Sequence, residues 1–246
     1  MTDAHAHLDA LEDPDAAVQR ACEAGVGRIV TIGTGIESCM RALDLTAHDG
    51  VYAALGIDPH QASTGEASRV AELRPLLDHP KAVAVGEAGL DYHYGADAKD
   101  EQRRLFSAQL AVAAELGLPI VVHTRSANDD TEAMLRTHHG TVVMHCFSEP
   151  ELLAAGVERG WYFSFAGNAT YPQSEALREA AAAVPADRIL AETDSPYLAP
   201  QPVRGRPNEP AHVVHTVAAL AEARGEDASS LAARIDANAA AAFRLP

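Results

Sequence analysis

The feature that most constrains the fold is the regular alternation of short apolar runs with longer helix-forming segments. Most of the runs are nearly continuous stretches of four to seven apolar residues, which suit strands buried on both faces of a parallel sheet. There are eight such runs: TDAHAHL, RIVTIG, VYAALGI, AVAVGEA, PIVVHT, TVVMHCF, WYFSF and RILAET.

The segments between these runs are rich in Ala, Leu, Glu and Arg and are long enough for helices. The clearest are 14–24, 36–48, 64–78, 100–117 and 126–138, and the tail 209–242 predicts two further helices that pack outside. Eight strands with intervening helices in 246 residues predict a TIM-like (β/α)₈ barrel, a single domain over 1–246. A doubly wound open sheet is the alternative, although no G-x-G-x-x-G follows the first strand.

Charge and cysteine content restrict the classes of function. The net charge of −16 disfavours binding of nucleic acid by bulk attraction, but allows a small site whose positive charge comes from metal ions and a few arginines. Three scattered cysteines predict a reducing compartment. No signal peptide or long apolar stretch is evident. We therefore expect a cytoplasmic protein without membrane association, and no obligatory protein partner is indicated.

Titratable side chains follow six of the eight predicted strands. Active sites of such barrels lie at the carboxyl ends of the strands. The residues at those ends are His5, His7, Asp58, His60, Glu87, His123, His145, Glu192 and Asp194. Each taken singly is more often a hydrogen-bonded core residue or a helix cap. Their coincidence on one rim predicts a metal site.

The predicted ligands are four histidines and two carboxylates, which are too many for one tetrahedral ion. They suit two divalent ions about 3.5–4 Å apart that share a carboxylate and a water. Imidazole favours zinc, manganese or iron, and carboxylates also suit magnesium. Glu87 is the natural bridge, because its strand lies between the two groups of histidines. Asp3 lies two residues deeper than His5 on the same strand face and is predicted to orient a histidine. The six ligands are His5, His7, Glu87, His123, His145 and Asp194.

The chain resembles the TatD family of metal-dependent deoxyribonucleases, within the amidohydrolase-like barrels. The matching stretches occur in the family's order: DAHAHLD, GIDPH, GEAGLDYH, LPIVVHTRSA, VMHCFS, ETDSPYLAP, RGRPNEP and NAAAAF. The resemblance implies one metal site at His5, His7 and Asp194, and a second at His123 and His145. It also implies Glu87 as the bridge.

The same resemblance implies Mg²⁺- or Mn²⁺-dependent hydrolysis of DNA phosphodiesters from the 3′ end of single strands, by a water that two metals activate. Zn²⁺ also fits the donors, and RNA is a second substrate to consider. Asp194, Glu87 and His60 are the expected catalytic residues. Substrate binding is expected at His60, Arg125, Arg204 and Asn208. The alternative function is hydrolysis of a small lactone, cyclic amide or phosphoester on the same centre.

Three further features qualify the resemblance. Asp58 stands where the family usually has histidine, and Glu149 stands where it usually has glycine. Many related amidohydrolases bridge their metals with a carboxylated lysine, but Lys81 and Lys99 both lie away from strand ends.

For aromatic contacts to a nucleobase, the candidates are Tyr92, Tyr94 and Phe147.

Overall fold

Eight parallel strands form the barrel that the alternating pattern predicts. In the computed structural model, which describes residues 1–246, neighbouring strands pair in chain order from the first to the eighth. The strands are β1 (Thr2–Ala6), β2 (Arg28–Gly33), β3 (Val51–Leu55), β4 (Ala82–Asp91), β5 (Ile120–Arg125), β6 (Val142–Met144), β7 (Tyr162–Phe165) and β8 (Ile189–Ala191). The predicted fold class is confirmed.

Helices lie between the strands and after the last one. They are α1 (Pro14–Glu23), α2 (Ile36–Leu45), α3 (Leu73–Leu77), α4 (Lys99–Leu116), α5 (Asn128–Leu135), α6 (Leu153–Glu158), α7 (Glu175–Ala183), α8 (Val213–Arg224) and α9 (Ala228–Phe243). None of them is both long enough and apolar enough to cross a lipid bilayer.

The predicted helix over 64–78 is only partly α-helical. Residues Gly65–Glu72 form a 3₁₀ helix, and α3 begins at Leu73. Pro75 explains the late start, because proline is tolerated in the first turn of an α-helix but would break its interior.

Apolar side chains of alternate strand positions fill one buried cluster. Val121, Val143 and Leu190 belong to this cluster and are almost completely buried. Successive residues of a strand point to opposite faces, so the residue two positions further along points the same way. The residues two positions further along are His123, His145 and Glu192. These polar side chains therefore point into the barrel interior, like the apolar cluster, but one layer nearer the carboxyl ends of the strands.

The barrel closes between β1 and the segment that follows β8. The amide of His7 donates to the carbonyl of Ser195 at 2.8 Å, and the amide of Asp194 donates to the carbonyl of His5 at 2.9 Å. A parallel bridge between Ala6 and Ser195 completes the seam. The closing hydrogen bonds thus join the three residues predicted to hold one metal ion.

The last two helices pack around the barrel as expected. Helix α8 packs against α7, and Phe243 at the end of α9 joins the interior cluster. The Asn238 side chain on α9 donates to the carbonyl of Ile189 at 2.9 Å, and Arg28 donates to the carbonyl of Pro246. Helix α9 therefore lies at the amino ends of the strands, opposite the polar rim.

Candidate active site

The carboxyl end of the barrel brings all six predicted ligands together. On the seam side, the Nε2 atoms of His5 and His7 lie 3.3 Å apart. They lie 3.5 and 3.7 Å from Oε2 of Glu87. The same two nitrogens lie 3.8 and 3.4 Å from Oδ1 of Asp194. These atoms form one cluster of four donors.

A second pair of histidines faces the other oxygen of the same carboxylate. Nδ1 of His123 lies 2.8 Å from Oε1 of Glu87, and Nε2 of His145 lies 3.2 Å from it. The two nitrogens are 3.4 Å apart. Glu87 therefore presents one oxygen to each pair of histidines, as a carboxylate shared by two cations would.

The donor set fits two divalent ions. Imidazole nitrogens and carboxylate oxygens face one another, and no lysine or arginine makes an ion pair with Glu87 or Asp194. Lys81 instead donates to the carbonyl of His48, and Lys99 lies over the ring of Tyr92. A bridging carboxylated lysine is thus not available, in agreement with the sequence.

The electrostatics of the site favour positive charge among these donors. Burial alone would raise the pKa of Glu87, but the charge of His145 and hydrogen bonds from the surrounding histidines hold it well below its usual range. Burial would lower the pKa of His145, yet Glu87 and Glu192 raise it well above its usual value. For His123, hydrogen bonds to Asp91 and Glu87 outweigh burial and raise the pKa to about 9. Without ions, protons on the imidazoles balance the carboxylates, and a binding ion must displace them.

Metal affinity is therefore expected to rise with pH between about pH 6 and pH 9. The raised pKa of His123 means that its ring still carries a proton in this range, and a metal binds only the neutral ring. For each proton that the metal displaces, the binding constant rises roughly tenfold when the pH is raised by one unit. Calorimetric titration with Mn²⁺ at several pH values, in buffers of different ionisation enthalpy, gives both the affinity and the number of protons released. An affinity independent of pH, with no proton release, would contradict this assignment.

Two buried carboxylates outside the six predicted ligands hold the second pair of histidines. Oδ2 of Asp91 lies 3.3 Å from Nε2 of His123, and Oε1 of Glu192 lies 3.0 Å from Nδ1 of His145. In each ring the opposite nitrogen faces Glu87. Such carboxylate–histidine pairs fix the ring orientation and its tautomer and make the ligand more basic.

Glu192→Gln is expected to weaken metal binding about 10- to 100-fold, because the variant keeps the side-chain shape but loses the charge behind His145. Glu192 is fully buried and also accepts a hydrogen bond from the amide of Cys146 at 2.8 Å. Metal titration with a melting curve checks the effect. The matched control is Glu158→Gln, at an exposed position ending α6, which should bind metal like the wild type. Equal affinities of both variants would exclude a role for Glu192.

Asp3 stabilises the seam and makes no hydrogen bond to a histidine ring. Its carboxylate accepts hydrogen bonds from the amide of Thr193 at 2.8 Å and from the Thr193 hydroxyl at 2.6 Å. It also accepts a longer one from the amide of His5 at 3.4 Å. Burial raises the pKa of Asp3 to about 8. These hydrogen bonds fix the backbone at Thr193, next to Asp194, and the predicted orientation of a histidine ring by Asp3 stays a prediction.

His60 lies at the edge of the site, and Asp58 shapes the turn that carries it. Nε2 of His60 is 3.7 Å from Oδ2 of Asp91, and the His60 side chain is 46% exposed. The Asp58 carboxylate caps the 3₁₀ turn Pro59–Gln61 by accepting from the amide of Gln61. Burial and the nearby Glu87 raise the pKa of Asp58 to about 6. The unusual aspartate therefore leaves His60 at the site.

Glu149 also has a clear local function. Its backbone has φ −117°, a conformation that does not require glycine. Its carboxylate accepts from the amide of Ser126 at 3.0 Å and from the Asn128 side chain at 3.1 Å. Glu149 therefore stabilises the loop that follows Arg125.

The predicted substrate contacts divide into exposed and buried residues. Arg125 and Arg204 are exposed and lie over the rings of Tyr94 and Tyr171, at 4.7 and 4.0 Å. Asn208 is fully buried, so its contact with substrate stays a prediction. Its amide donates to the carbonyls of Thr193 and Tyr197, which is the bracing role of a loop residue.

Comparison with known proteins agrees with this geometry. A family model described as TatD related DNase matches residues 2–244. The metal-dependent hydrolase YabD of Bacillus subtilis is 35% identical over 100% of this chain and 99% of its own. A 3′-5′ ssDNA/RNA exonuclease TatD of Musicola paradisiaca is 38% identical over 95% and 92%. The crystal structure of YJJV, a TatD homologue from Escherichia coli K12, superposes with a TM-score of 0.91 at 32% identity, covering 100% of this chain and 98% of that one.

The barrel, the facing donors and these relatives define the class of protein: it is a metal-dependent hydrolase. Within that class, the chain belongs to the TatD family.

Proposed function

We propose that this hydrolase is an exonuclease that shortens single-stranded DNA from the 3′ end, with RNA as a second substrate. The observation that carries the proposal is the pair of exposed arginines, Arg125 at the end of β5 and Arg204 after β8, at the same end of the barrel as the six metal-capable donors. Neither arginine makes an ion pair with a carboxylate, so both are free to contact phosphates. Relatives named as 3′-5′ ssDNA/RNA exonucleases support the same assignment.

In this proposal His5, His7 and Asp194 would hold one divalent ion, His123 and His145 would hold the other, and both ions would share Glu87. When bound, two such ions, Mg²⁺ or Mn²⁺ for activity, supply Lewis acidity and an activated water. The chain's own residues position the reactants around them.

Asp194 is the residue that orients the attacking water. Although burial would raise its pKa, the hydrogen bond from His7 and the charge of His145 hold the pKa below its usual range. The ionised carboxylate accepts a hydrogen bond from the water and aligns it with phosphorus. His60, half-exposed on the other side of Glu87, donates to a phosphoryl oxygen as negative charge develops there.

The net charge of −16 fits a site that holds only the end of a strand. Bulk repulsion opposes binding along a duplex, whereas the local cations need to neutralise only a few phosphates. Binding to long duplex DNA should consequently be weak and the hydrolysis non-processive.

The direct test uses purified protein with Mg²⁺ or Mn²⁺ and single-stranded DNA that carries a label at either the 5′ or the 3′ end. Stepwise shortening of the 5′-labelled strand and early release of the 3′ label are expected, and both should disappear with EDTA and in His123→Ala. His139→Ala, at an exposed position, is the matched control and should remain active. Intact DNA together with turnover of a small lactone, cyclic amide or phosphoester would overturn the exonuclease assignment.

A further inference from the structure

Two tyrosines at the rim of the site expose most of their side chains. Tyr94 is 70% exposed and Tyr197 is 58% exposed, although aromatic rings are usually buried. Each lies against a histidine of the site. The ring centroid of Tyr197 is 5.8 Å from that of His7, and the centroid of Tyr94 is 6.2 Å from that of His60. Both rings therefore present an open aromatic surface next to the reaction centre.

The two rings lie on opposite sides of the centre. Tyr94 follows β4 and Tyr197 follows β8, and these strands are four positions apart in a barrel of eight. The metal-capable donors lie between them, since Glu87 comes from β4 and Asp194 follows β8. A chain that crosses the centre would meet one tyrosine before the reacting bond and the other after it.

The backbone of both tyrosines is held by hydrogen bonds to residues next to the donors. The amide of Tyr94 donates to Oδ1 of Asp91 at 2.8 Å, and the other oxygen of Asp91 faces His123. The amide of Tyr197 donates to the carbonyl of Asp194 at 2.8 Å. The buried Asn208 holds the carbonyl of Tyr197 at 2.6 Å. The backbone that carries the two rings is thus placed in advance relative to the donors, which lowers the entropy cost of binding.

The other aromatic residues near the rim are not available for such contacts. Phe147 is 1% exposed and packs edge-on against Phe163, with the ring centroids 4.9 Å apart. The Tyr92 hydroxyl bonds to Asp130, and Lys99 covers its ring at 4.4 Å. Of the three aromatic candidates in the sequence, only Tyr94 presents an open ring.

We propose that Tyr94 and Tyr197 stack on the nucleobases on either side of the scissile phosphodiester. This proposal rests on the exonuclease function proposed above. Every base has a π-face, so stacking tolerates any sequence but requires unpaired bases, and duplex ends would be poor substrates. Stacking also suits a protein of charge −16, because it does not depend on attraction between the protein and the polyanion.

Arg125 strengthens one side of this arrangement. Its guanidinium lies 4.7 Å from the centre of the Tyr94 ring, and the His93 ring meets that ring edge-on with the centroids 4.6 Å apart, yet Tyr94 remains 70% exposed. The rim offers few free arginines, so the protein can contact only a few phosphates. Three such contacts would make log affinity fall against log salt concentration with a slope of about −2. A shallow salt dependence therefore accompanies stacking, whereas a grip on many phosphates would make it steep.

The experiment measures binding and cleavage separately. Oligonucleotides carry 2-aminopurine at the last or the penultimate position, with phosphorothioate terminal linkages to slow hydrolysis, and are titrated with the Mg²⁺-loaded protein. Quenching of the fluorophore on binding is expected. Tyr94→Ala and Tyr197→Ala should each weaken binding about 5- to 100-fold and abolish the quenching at one position. The Tyr→Phe variants keep the ring and should match the wild type. Met40→Ala, which removes an exposed apolar side chain on α2, is the matched control.

Abasic substrates provide the second readout. With both terminal bases removed, the alanine variants and the wild type should bind with equal affinity. Quenching that persists in the alanine variants, or Phe variants as weak as the Ala variants, would overturn stacking whether or not DNA is cleaved. Base-dependent binding without cleavage would support stacking and reject the exonuclease function.

Discussion

Glu87→Gln is expected to reduce hydrolysis by at least about 10³-fold, the largest effect of any single substitution in the site. The carboxylate presents one oxygen to the His5–His7 pair and the other to the His123–His145 pair. The glutamine side chain keeps the volume of the glutamate but loses the negative charge that both pairs of histidines face. Two ions provide several kcal/mol of charge stabilisation in the transition state, and each 1.4 kcal/mol is tenfold in rate. Initial rates with excess Mn²⁺ measure the loss.

The metal content of the same variant shows whether the lost activity reflects the bridge. Elemental analysis after gel filtration should find two ions per chain in the wild type and fewer in Glu87→Gln. Glu179→Gln, at an exposed position on α7, serves as the control and should match the wild type in both measurements. A Glu87→Gln protein that retains two ions, or that works within tenfold of the wild-type rate, would show that Glu87 does not bridge.

The arrangement of the six donors was predictable because two local rules fix it. Side chains alternate along a strand, and the carboxyl ends of parallel barrel strands share one rim. His123 and His145 therefore follow directly from the positions of β5 and β6. No tertiary information beyond the fold class is needed.

Asp91 was missed because the extent of β4 depends on its neighbour. The apolar run predicts a strand that ends near residue 88, but β4 continues to Asp91. The extension is stabilised by pairing with β5, where Asp91 lies opposite Arg125. Such pairing is a property of two strands and cannot be derived from one run.

Loop side chains were the least predictable part of the site. Asn208 and Tyr197 both lie in the loop region that follows β8. Asn208 is buried, whereas Tyr197 is exposed. Which of the two side chains faces solvent depends on how this region folds. The hydrogen bond from the Asn208 side-chain amide to the Tyr197 carbonyl is part of that fold. Residue type alone suggests the opposite assignment, with the polar amide outside and the aromatic ring inside.

Gly89→Ala is expected to destabilise the protein by at least about 4 kcal/mol, which lowers the melting temperature by about 10 °C. Gly89 lies opposite His123 in the β4–β5 pairing and has φ +148°, which L side chains rarely adopt. A Cβ atom would lie 1.9 Å from the carbonyl oxygen of His123. Because the obstacle is backbone rather than a mobile side chain, the two strands must separate.

The same separation would displace His123 from Glu87, so the loss of stability and the loss of metal should occur together. Thermal melts with and without Mn²⁺ test this, since the stabilisation by metal in the wild type should shrink in the variant. Gly65→Ala is the matched control, because no atom lies within 4 Å of its added Cβ and its φ is not positive. This control should melt near the wild-type temperature. If Gly89→Ala melted within about 2 °C of the wild type, the strands would have to accommodate the methyl group without separating, and the position of His123 would not depend on this close approach.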